Sequence, residues 1–581
     1  MCGISGVIQR KNQTSDRSAI DKMVAMQKHR GPDGEGVFEG PGFFLGHNRL
    51  AILDLSRDGH QPMELATVKG EKLVIVYNGE VYNYLEIRDE LSKKGHAFRS
   101  RSDTEVILHA YQEWGADCLS RFNGMFSFVI YDSAKRILFG ARDRFGVKPM
   151  HVRLDADTFA FASEIKALLA VKPADGFDRQ TVVDYLFSGH INHSGRTFFA
   201  GIEELKPGHL FEYDLRNHEY NTRPWYQLHD RVRPLTLSTN DAAEALKTLL
   251  TDSVKLRLRS DVRVGTCLSG GIDSSSIASI AAKHYPAGSF IGITAQSLDP
   301  SNDETEFARR VAEHSNLEWH TVSPDDFRER LLDVVRTQDE PFGGLSVFMQ
   351  DAVMREAKRL GVPVLLDGQG GDEVFLGYPK YLQALRFPPP RVMAKKVASA
   401  LGWIEKREFH DELRLKFPKE VDQAEDHLLR YRRALNNARE AQIIDISETN
   451  LPQLLRYEDR NSMRHSIETR LPFLDYRVVE LGVGLSLAAK IDGGKQKVVL
   501  RDAMRDVVPA QILSRRDKIG FSPPDRTWNQ YFQSLWLDHV SGSSRLKEVV
   551  PGLQMGAYES LSPSSRWKLI NLAIWSETYF I

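Results

Sequence analysis

The chain has 581 residues, enough for two to four domains at roughly 100–200 residues each. Its 41% apolar and 27% charged residues, with a net charge of −1, give an ordinary globular balance without the basic excess that binding nucleic acid requires. No apolar run reaches the ~18 residues of a membrane span. Three cysteines, Cys2, Cys118 and Cys267, are too few and too scattered for a disulfide framework or a zinc site. The start of the chain has no apolar signal core and runs into a charge-rich stretch from Arg10 to Arg30, so a reducing, cytoplasmic home is expected.

The first chemical feature is Met1-Cys2-Gly3. Met is usually removed before a residue as small as Cys, which would leave Cys2 with a free α-amine beside its thiol. The amine has a reference pKa near ~8 and the thiol near ~8.5, so either can move a proton near neutral pH. N-terminal nucleophile hydrolases use this pair for acyl transfer. The plainer alternative is an ordinary second-position cysteine.

The first ~210 residues read as β-rich with a few helices. Leu73 to Tyr77 forms a short apolar strand ending at Asn78-Gly79. Thr104 to Trp114 is helical, with Ser102 or Asp103 as its cap. Phe126 to Tyr131 and Ile137 to Ala141 make a hairpin across Asp132–Lys135. Residues 216–240, with Arg231-Val232-Arg233-Pro234, read as a linker between a domain over 1–215 and one over 241–581. Beyond it strands and helices alternate. Val262–Leu268, Phe290–Ala295 and Val362–Asp367 read as strands, and Ser274–His284 and Glu304–Ser315 as helices. Such alternation implies a parallel sheet covered by helices, with ligands at the carboxyl ends of its strands. From about 380 the chain is mostly helical, broken at Phe387-Pro388-Pro389-Pro390, where an exposed loop is expected.

Two loops follow strands in the second half. Ser269-Gly270-Gly271-Ile272-Asp273-Ser274-Ser275 opens a helix. Its glycines let backbone N–H groups approach an anion, and the helix N-terminus favours negative charge. It has no Gly-Lys-Ser/Thr and is therefore not a Walker A loop. Asp367-Gly368-Gln369-Gly370-Gly371-Asp372-Glu373 places carboxylates at another strand end, suited to Mg²⁺ shared with phosphate oxygens. The plainer alternatives are a glycine-rich turn with a helix cap and a solvated acidic turn.

These motifs resemble those of glutamine-dependent asparagine synthetase, a class II glutamine amidotransferase joined to an ATP-pyrophosphatase synthetase domain. Eight segments carry the resemblance in order. They are Met1–Ile4, His29–Gly34, His47–Asp54, Tyr77–Glu80, Ser102–Glu105, Ser269–Ser275, Asp367–Glu373 and Glu468–Asp475. The resemblance implies an N-terminal nucleophile-hydrolase αββα sandwich. A Rossmann-like parallel-sheet domain with a mostly helical C-terminal part would follow it. It also implies roles. Cys2 would attack the glutamine amide, with Asn78 and Gly79 as oxyanion hole. Arg49 would bind the glutamine α-carboxylate, Asp103 its α-ammonium, and Glu80 would help hold it. Ser269, Gly270, Gly271, Asp273 and Ser274 would hold the ATP pyrophosphate. Leu268 and Ile293 would flank the adenine, beside Asp367 and Gly368. Asp273 and Asp372 would bind Mg²⁺, and Lys518 would contact the phosphates. Cys267 reads as core.

The expected substrates are glutamine, ATP and aspartate, with a sugar uronate or natural-product acid as the alternative acceptor. No nucleic-acid or membrane partner is expected, and a homodimer is compatible with the resemblance. Two positions depart from the family pattern. Gln369 stands where many asparagine synthetases carry Glu, and Gln cannot take a proton. Lys148-Pro149-Met150-His151 lacks the aromatic residue that more often follows Lys-Pro in the family.

Overall fold

Alternation of apolar residues sets the first layer. In the strand Gly3–Gln9 (β1), Ile4 and Ile8 face one way and Val7 the other, because successive strand side chains point to opposite faces. The computed structural model describes residues 1–10, 16–66, 70–297, 299–385, 407–516, 528–550 and 561–580. Lys518 and the Phe387–Pro390 break lie outside the described residues.

Twelve strands build the N-terminal half: β1, Gly34–Gly40 (β2), Phe43–Arg49 (β3), Met63–Ala66 (β4), Lys72–Val81 (β5), Gly124–Asp132 (β6), Ile137–Arg142 (β7), His151–Leu154 (β8), Thr158–Ala162 (β9), Ile202–Glu204 (β10), His209–Asp214 (β11) and Tyr220–Pro224 (β12). They form two six-stranded antiparallel sheets, ordered β10-β8-β9-β1-β3-β2 and β12-β11-β7-β6-β5-β4. Ile4, Phe43 and Phe159 from the first sheet pack on Val76, Val129 and Tyr213 from the second. Phe159 stacks on Tyr213 with ring centroids 4.4 Å apart. Met150 lies in this same layer. The outer face of the first sheet packs Val7 and Phe44 against Ile20, Met23 and Val24 of the helix Arg17–Met26. The outer face of the second packs Ile75 and Phe128 against Val106 and Ile107 of the helix Asp103–Trp114. The result is helix, sheet, sheet, helix, as the resemblance implied.

Local boundaries differ in instructive ways. The hairpin pairs Asp132 with Ile137, as read from sequence. The apolar strand does not stop at Tyr77. It runs to Val81, because Asn78–Val81 pair with Gly124–Ser127 on β6. Ser102 caps its helix by accepting from Thr104 N–H, which leaves Asp103 in the first turn with its carboxylate turned inward. β12 falls inside the stretch read as a linker; its pairing with β11 completes the second sheet. The helix Thr239–Arg257 likewise begins before 241, capped by Ser238.

The second half holds five parallel strands: Val264–Cys267 (β13), Ile291–Ala295 (β14), Glu318–Val322 (β15), Val364–Leu366 (β16) and Glu468–Arg470 (β17). Their order is β15-β14-β13-β16-β17, so the winding reverses between β13 and β16. Val264 and Leu366 face the helices Thr239–Arg257 and Ile272–His284 on one side. Ile291, Ile293 and Leu365 face the helix Ser346–Arg359 on the other. A sheet buried on both faces explains why these strands read as continuous apolar runs. Helices dominate from Arg407 to Tyr579. No described helix is long and apolar enough to cross a membrane.

A buried ionic seam joins the halves. The Arg30 guanidinium donates to Glu164 (2.9 Å) within the first half and to both oxygens of Asp459 (2.8 and 3.1 Å) in the second. Arg470, on β17, donates to Glu468 (2.6 Å) and lies 3.4 Å from Glu80 on β5. It also donates to the Arg257 and Arg259 carbonyls. The Met1 amine donates to Glu468 at 2.9 Å. Burial alone would raise the Glu468 carboxyl, but the Met1 amine and Arg470 overcome it and hold it at about 2.

Two outcomes follow for stability. Removing one partner of a buried ion set leaves uncompensated charge, so Arg470→Met should cost about 3–5 kcal/mol in denaturant unfolding. An unchanged midpoint would mean that the seam does not support the fold. Glu468 sits below the ordinary ~4.3 of Glu. Its contribution is therefore full above that pH and is lost as pH falls toward 2. Wild-type stability should drop across this window more steeply than that of Glu468→Gln.

Candidate active sites

At the first site, Cys2 begins β1 and is 8% exposed. Its backbone N–H donates to Asn78 Oδ1 at 2.9 Å, and its carbonyl accepts from Arg30 Nε at 3.0 Å. The donor on Cys2 requires the oxygen of the Asn78 amide to face it, so the NH₂ faces away. Asn78 is fully buried, yet that Nδ2 has no acceptor among the described residues. A buried amide donor is normally paired; this one is left open next to Cys2. Gly79 follows at φ +151°, and a Cβ there would lie 2.1 Å from the Met125 carbonyl oxygen. Only glycine lets β5 approach β6 this closely at that point.

Burial pushes the Cys2 thiol upward; the Met1 amine, the Leu50 N–H and Arg49 oppose that shift. Arg49 ends β3, and its guanidinium donates to the carbonyls of Ser56 (2.8 Å) and Asp54. Asp103 accepts from the Tyr77 hydroxyl (2.8 Å) and Val81 N–H (2.9 Å) through one oxygen. Burial pushes its carboxyl up despite those bonds. Glu80 is driven well above the carboxylate range by burial and by the charges of Glu468 and Asp103, with Arg470 opposing. Cys2, Asn78, Gly79, Arg49, Glu80 and Asp103 thus gather at the ends of β1, β3 and β5. Arg30 carried no assigned role in the sequence reading, although it sits in the His29–Gly34 motif.

The second site lies where the parallel sheet reverses, the position at which open α/β sheets bind ligands. A cavity of about 380 Å³ is walled by Leu268, Ser269, Gly271, Asp273, Ser274 and Ile293. Asp367, Gly368, Gln369 and Asp372 from the acidic loop complete that wall. The two loops abut: a Cβ at Gly371 would lie 2.9 Å from Asp273 Oδ1. Gly270 takes φ +73° and faces Ala308 N at 2.6 Å from an ideal Cβ, leaving no room for a side chain. The Ser269 and Ser274 hydroxyls lie 3.0 Å apart at the start of the helix Ile272–His284. Cys267, expected in the core, is part of the cavity wall, with its thiol on Asp367. Burial and the Asp367 charge push that thiol well up, so it is a poor nucleophile.

Lys497 was missed by sequence reasoning. Its ammonium contacts Asp273 and lies 2.6 Å from Asp372 Oδ1. Burial works against its charge, but the two carboxylates outweigh it and raise the ammonium. It sits at φ +56° after the hairpin Ile491–Asp492/Lys495–Gln496, just before the helix Val498–Ala503. The available signal was Gly493-Gly494-Lys495-Gln496-Lys497, a glycine turn running into basic residues before a helix. Asp273 and Asp372 thus converge on one cation, the Lys497 ammonium.

A family model described as "Glutamine amidotransferase domain" matches residues 1–226, and one described as "Asparagine synthase" matches 245–574. Asparagine synthetase (glutamine-hydrolyzing) 3 of Bacillus subtilis is 32% identical over 89% of this chain and 86% of its own. Asparagine synthetase (glutamine-hydrolyzing) 1 of the same organism is 28% identical over 99% of this chain and 96% of its own.

Asn78→Ala should lower glutamine hydrolysis by ~10²–10³-fold, the usual loss for one oxyanion donor. Product formation supported by added ammonia should be unaffected. Lys497→Met should instead suppress pyrophosphate release and leave glutamine hydrolysis intact. Equal loss of both activities in either variant would contradict two separate sites.

Proposed function

Because the chain belongs to the glutamine-hydrolysing asparagine synthetase family and is an ATP-dependent carbon–nitrogen ligase, we propose that it amidates aspartate through β-aspartyl-AMP. In this reading Cys2 Sγ attacks the glutamine side-chain carbonyl. Asn78 Nδ2 and the Gly79 N–H receive the oxyanion. Arg49 binds the α-carboxylate, a task suited to a planar guanidinium, and Asp103 with Glu80 holds the α-ammonium. Collapse expels ammonia, which leaves with the thiol proton, and water then releases glutamate from the thioester.

Ammonia crosses the seam to the cavity. There Ser269, Gly270, Gly271, Asp273 and Ser274 hold the pyrophosphate of ATP, with Leu268 and Ile293 against the adenine. Asp367 and Gly368 lie beside the nucleotide. Asp273 and Asp372 would hold Mg²⁺, which when bound offsets phosphate charge. Lys497 adds a fixed positive charge at the same phosphates, the role the resemblance implied for Lys518. A carboxylate oxygen of the acceptor attacks the α-phosphorus and pyrophosphate leaves. Ammonia then attacks the acyl carbon and AMP departs. Adenylation is needed because a free carboxylate is a poor electrophile.

The observation that carries the reading is the link between the two sites. Arg30 donates to the Cys2 carbonyl on one side and to Asp459 on the other. Asp459 lies in the helix Asn450–Arg464, two residues from Tyr457 in the cavity wall. The relatives, both asparagine synthetases, support aspartate as acceptor. Gln369 in the cavity wall favours a second reading, the same chemistry on a sugar uronate or natural-product acid. Cytoplasmic location belongs to the proposal.

ATP–pyrophosphate exchange across carboxylic acids separates the readings. Aspartate-dependent exchange is the expected result. Exchange only with a uronate or another acid would move the second reading into first place. Cys2→Ala should abolish glutamine-dependent product and spare ammonia-dependent product, and loss of both would sink the scheme.

A further inference from the structure

The amide-forming step needs a base. When ammonia adds to the activated carbonyl, the C–N bond forms and the bond to AMP breaks. The nitrogen then carries one proton too many. Gln369 cannot accept it. The other carboxylates of the cavity wall are engaged. Asp273 and Asp372 face Lys497, Glu304 pairs with Arg515 at 2.8 Å, and Asp367 accepts from the Cys267 thiol and its own loop N–H groups. Glu373, beside the loop, is held by the Tyr378 hydroxyl and Asn450.

One further carboxylate stands at this end. Glu458 lies between Tyr457, in the cavity wall, and Asp459, on Arg30. It is 2% exposed, and neither oxygen makes a well-formed hydrogen bond among the described residues, although the Thr469 hydroxyl lies beside it. It feels Asp367 from the cavity side and Lys148 from the amidotransferase side. Lys148 is fully buried too, and its ammonium has no hydrogen-bond partner, with Asp459 Oδ1 the nearest recorded carboxylate oxygen at 3.9 Å. Buried charges are almost always bonded. Lys148 and Glu458, of opposite sign and one from each half, are each left without a well-formed hydrogen bond among the described residues.

Resting on the ligase reading above, we propose that Glu458 is the proton acceptor of amide formation, taking the proton from the ammonia-derived nitrogen as AMP leaves. The Lys148 ammonium favours the charged form of Glu458 but does not outweigh burial and the Asp367 charge. Burial, then the Asp367 charge, push the Glu458 carboxyl well above the ordinary range. A base with a raised pKa is the stronger one near neutral pH. Carboxylate from Glu458 would thereby do what Gln369 cannot.

The test uses the full-length enzyme and the acid that supports wild-type exchange. Glu458→Gln should leave glutamine hydrolysis and ATP–pyrophosphate exchange unchanged, which also reports that the variant is folded. Amide formation from glutamine or from ammonia should fall ~10²–10⁴-fold, the usual worth of general-base assistance. The double variant Glu458→Gln/Gln369→Glu should regain part of it, because a carboxylate returns to the cavity wall. Wild-type amide formation by Glu458→Gln would overturn the proposal. So would parallel loss of exchange and amide formation that Gln369→Glu does not reverse, since that marks a structural role. A wild type that exchanges with no acid would overturn the ligase reading itself, and this proposal with it.

Discussion

Charge buried between the two halves is the constraint on which the rest of the molecule depends. Arg30 must satisfy Glu164, Asp459 and the Cys2 carbonyl with one rigid guanidinium. Its planar fork suits this, where a lysine would offer a point charge. Isolated charges in such a place would cost several kcal/mol each, so every member needs its partners at fixed distances. The seam therefore does more than hold the halves together. It fixes the start of β1, and with it Cys2, relative to the helix that reaches the second-half cavity.

Within that frame, both sites use the same local device. A strand ends or narrows at glycine, and the backbone comes closer to its neighbour than any side chain would allow. Gly79 sits against Met125, and Gly270 against Phe307 and Ala308. What differs is polar satisfaction. His47 and His151 are buried but stay neutral, because desolvation drives their pKa down, to about 3 for His47. Asn78 Nδ2 and Lys148 are buried without a hydrogen-bond partner among the described residues, and Glu458 has only the Thr469 hydroxyl beside it. Each of the two histidines contacts a backbone carbonyl through one ring nitrogen, His47 with Tyr77 and His151 with Ser163.

The departure at Lys148-Pro149-Met150-His151 acquires a meaning in this setting. Met150 fills the layer between the two sheets and His151 bonds the Ser163 carbonyl, so both serve packing. Lys148 reaches the seam instead. Likewise the segment Glu468–Asp475, a family marker without an assigned role, proves to be seam: Glu468 and Arg470 bind the first half, and Asp475 accepts from Asn123 across it at 2.8 Å. Cys267 moves the other way, from expected core to cavity wall, because it is the last residue of β13, at the carboxyl end where the cavity opens.

Local chemistry was legible in the sequence by itself. The hairpin at Asp132–Lys135, the Ser102–Asp103 helix start, the alternation that makes a parallel sheet, and the two glycine-rich loops all follow from short-range rules of turn, cap and periodicity. Such rules act within a few residues of the backbone and leave their mark in composition. Tertiary structure decided the rest. That Asn78 Oδ1 accepts from Cys2 N–H while its amide Nδ2 stays open depends on residues 76 positions apart. That Lys497 bridges Asp273 and Asp372 depends on a contact spanning 224 positions. The seam spans still more, with Arg30 and Asp459 separated by 429. Each residue, taken alone, reads as a surface charge or a core polar group. Burial and partner geometry alone turn them into a site, and neither is a property of any local stretch of chain.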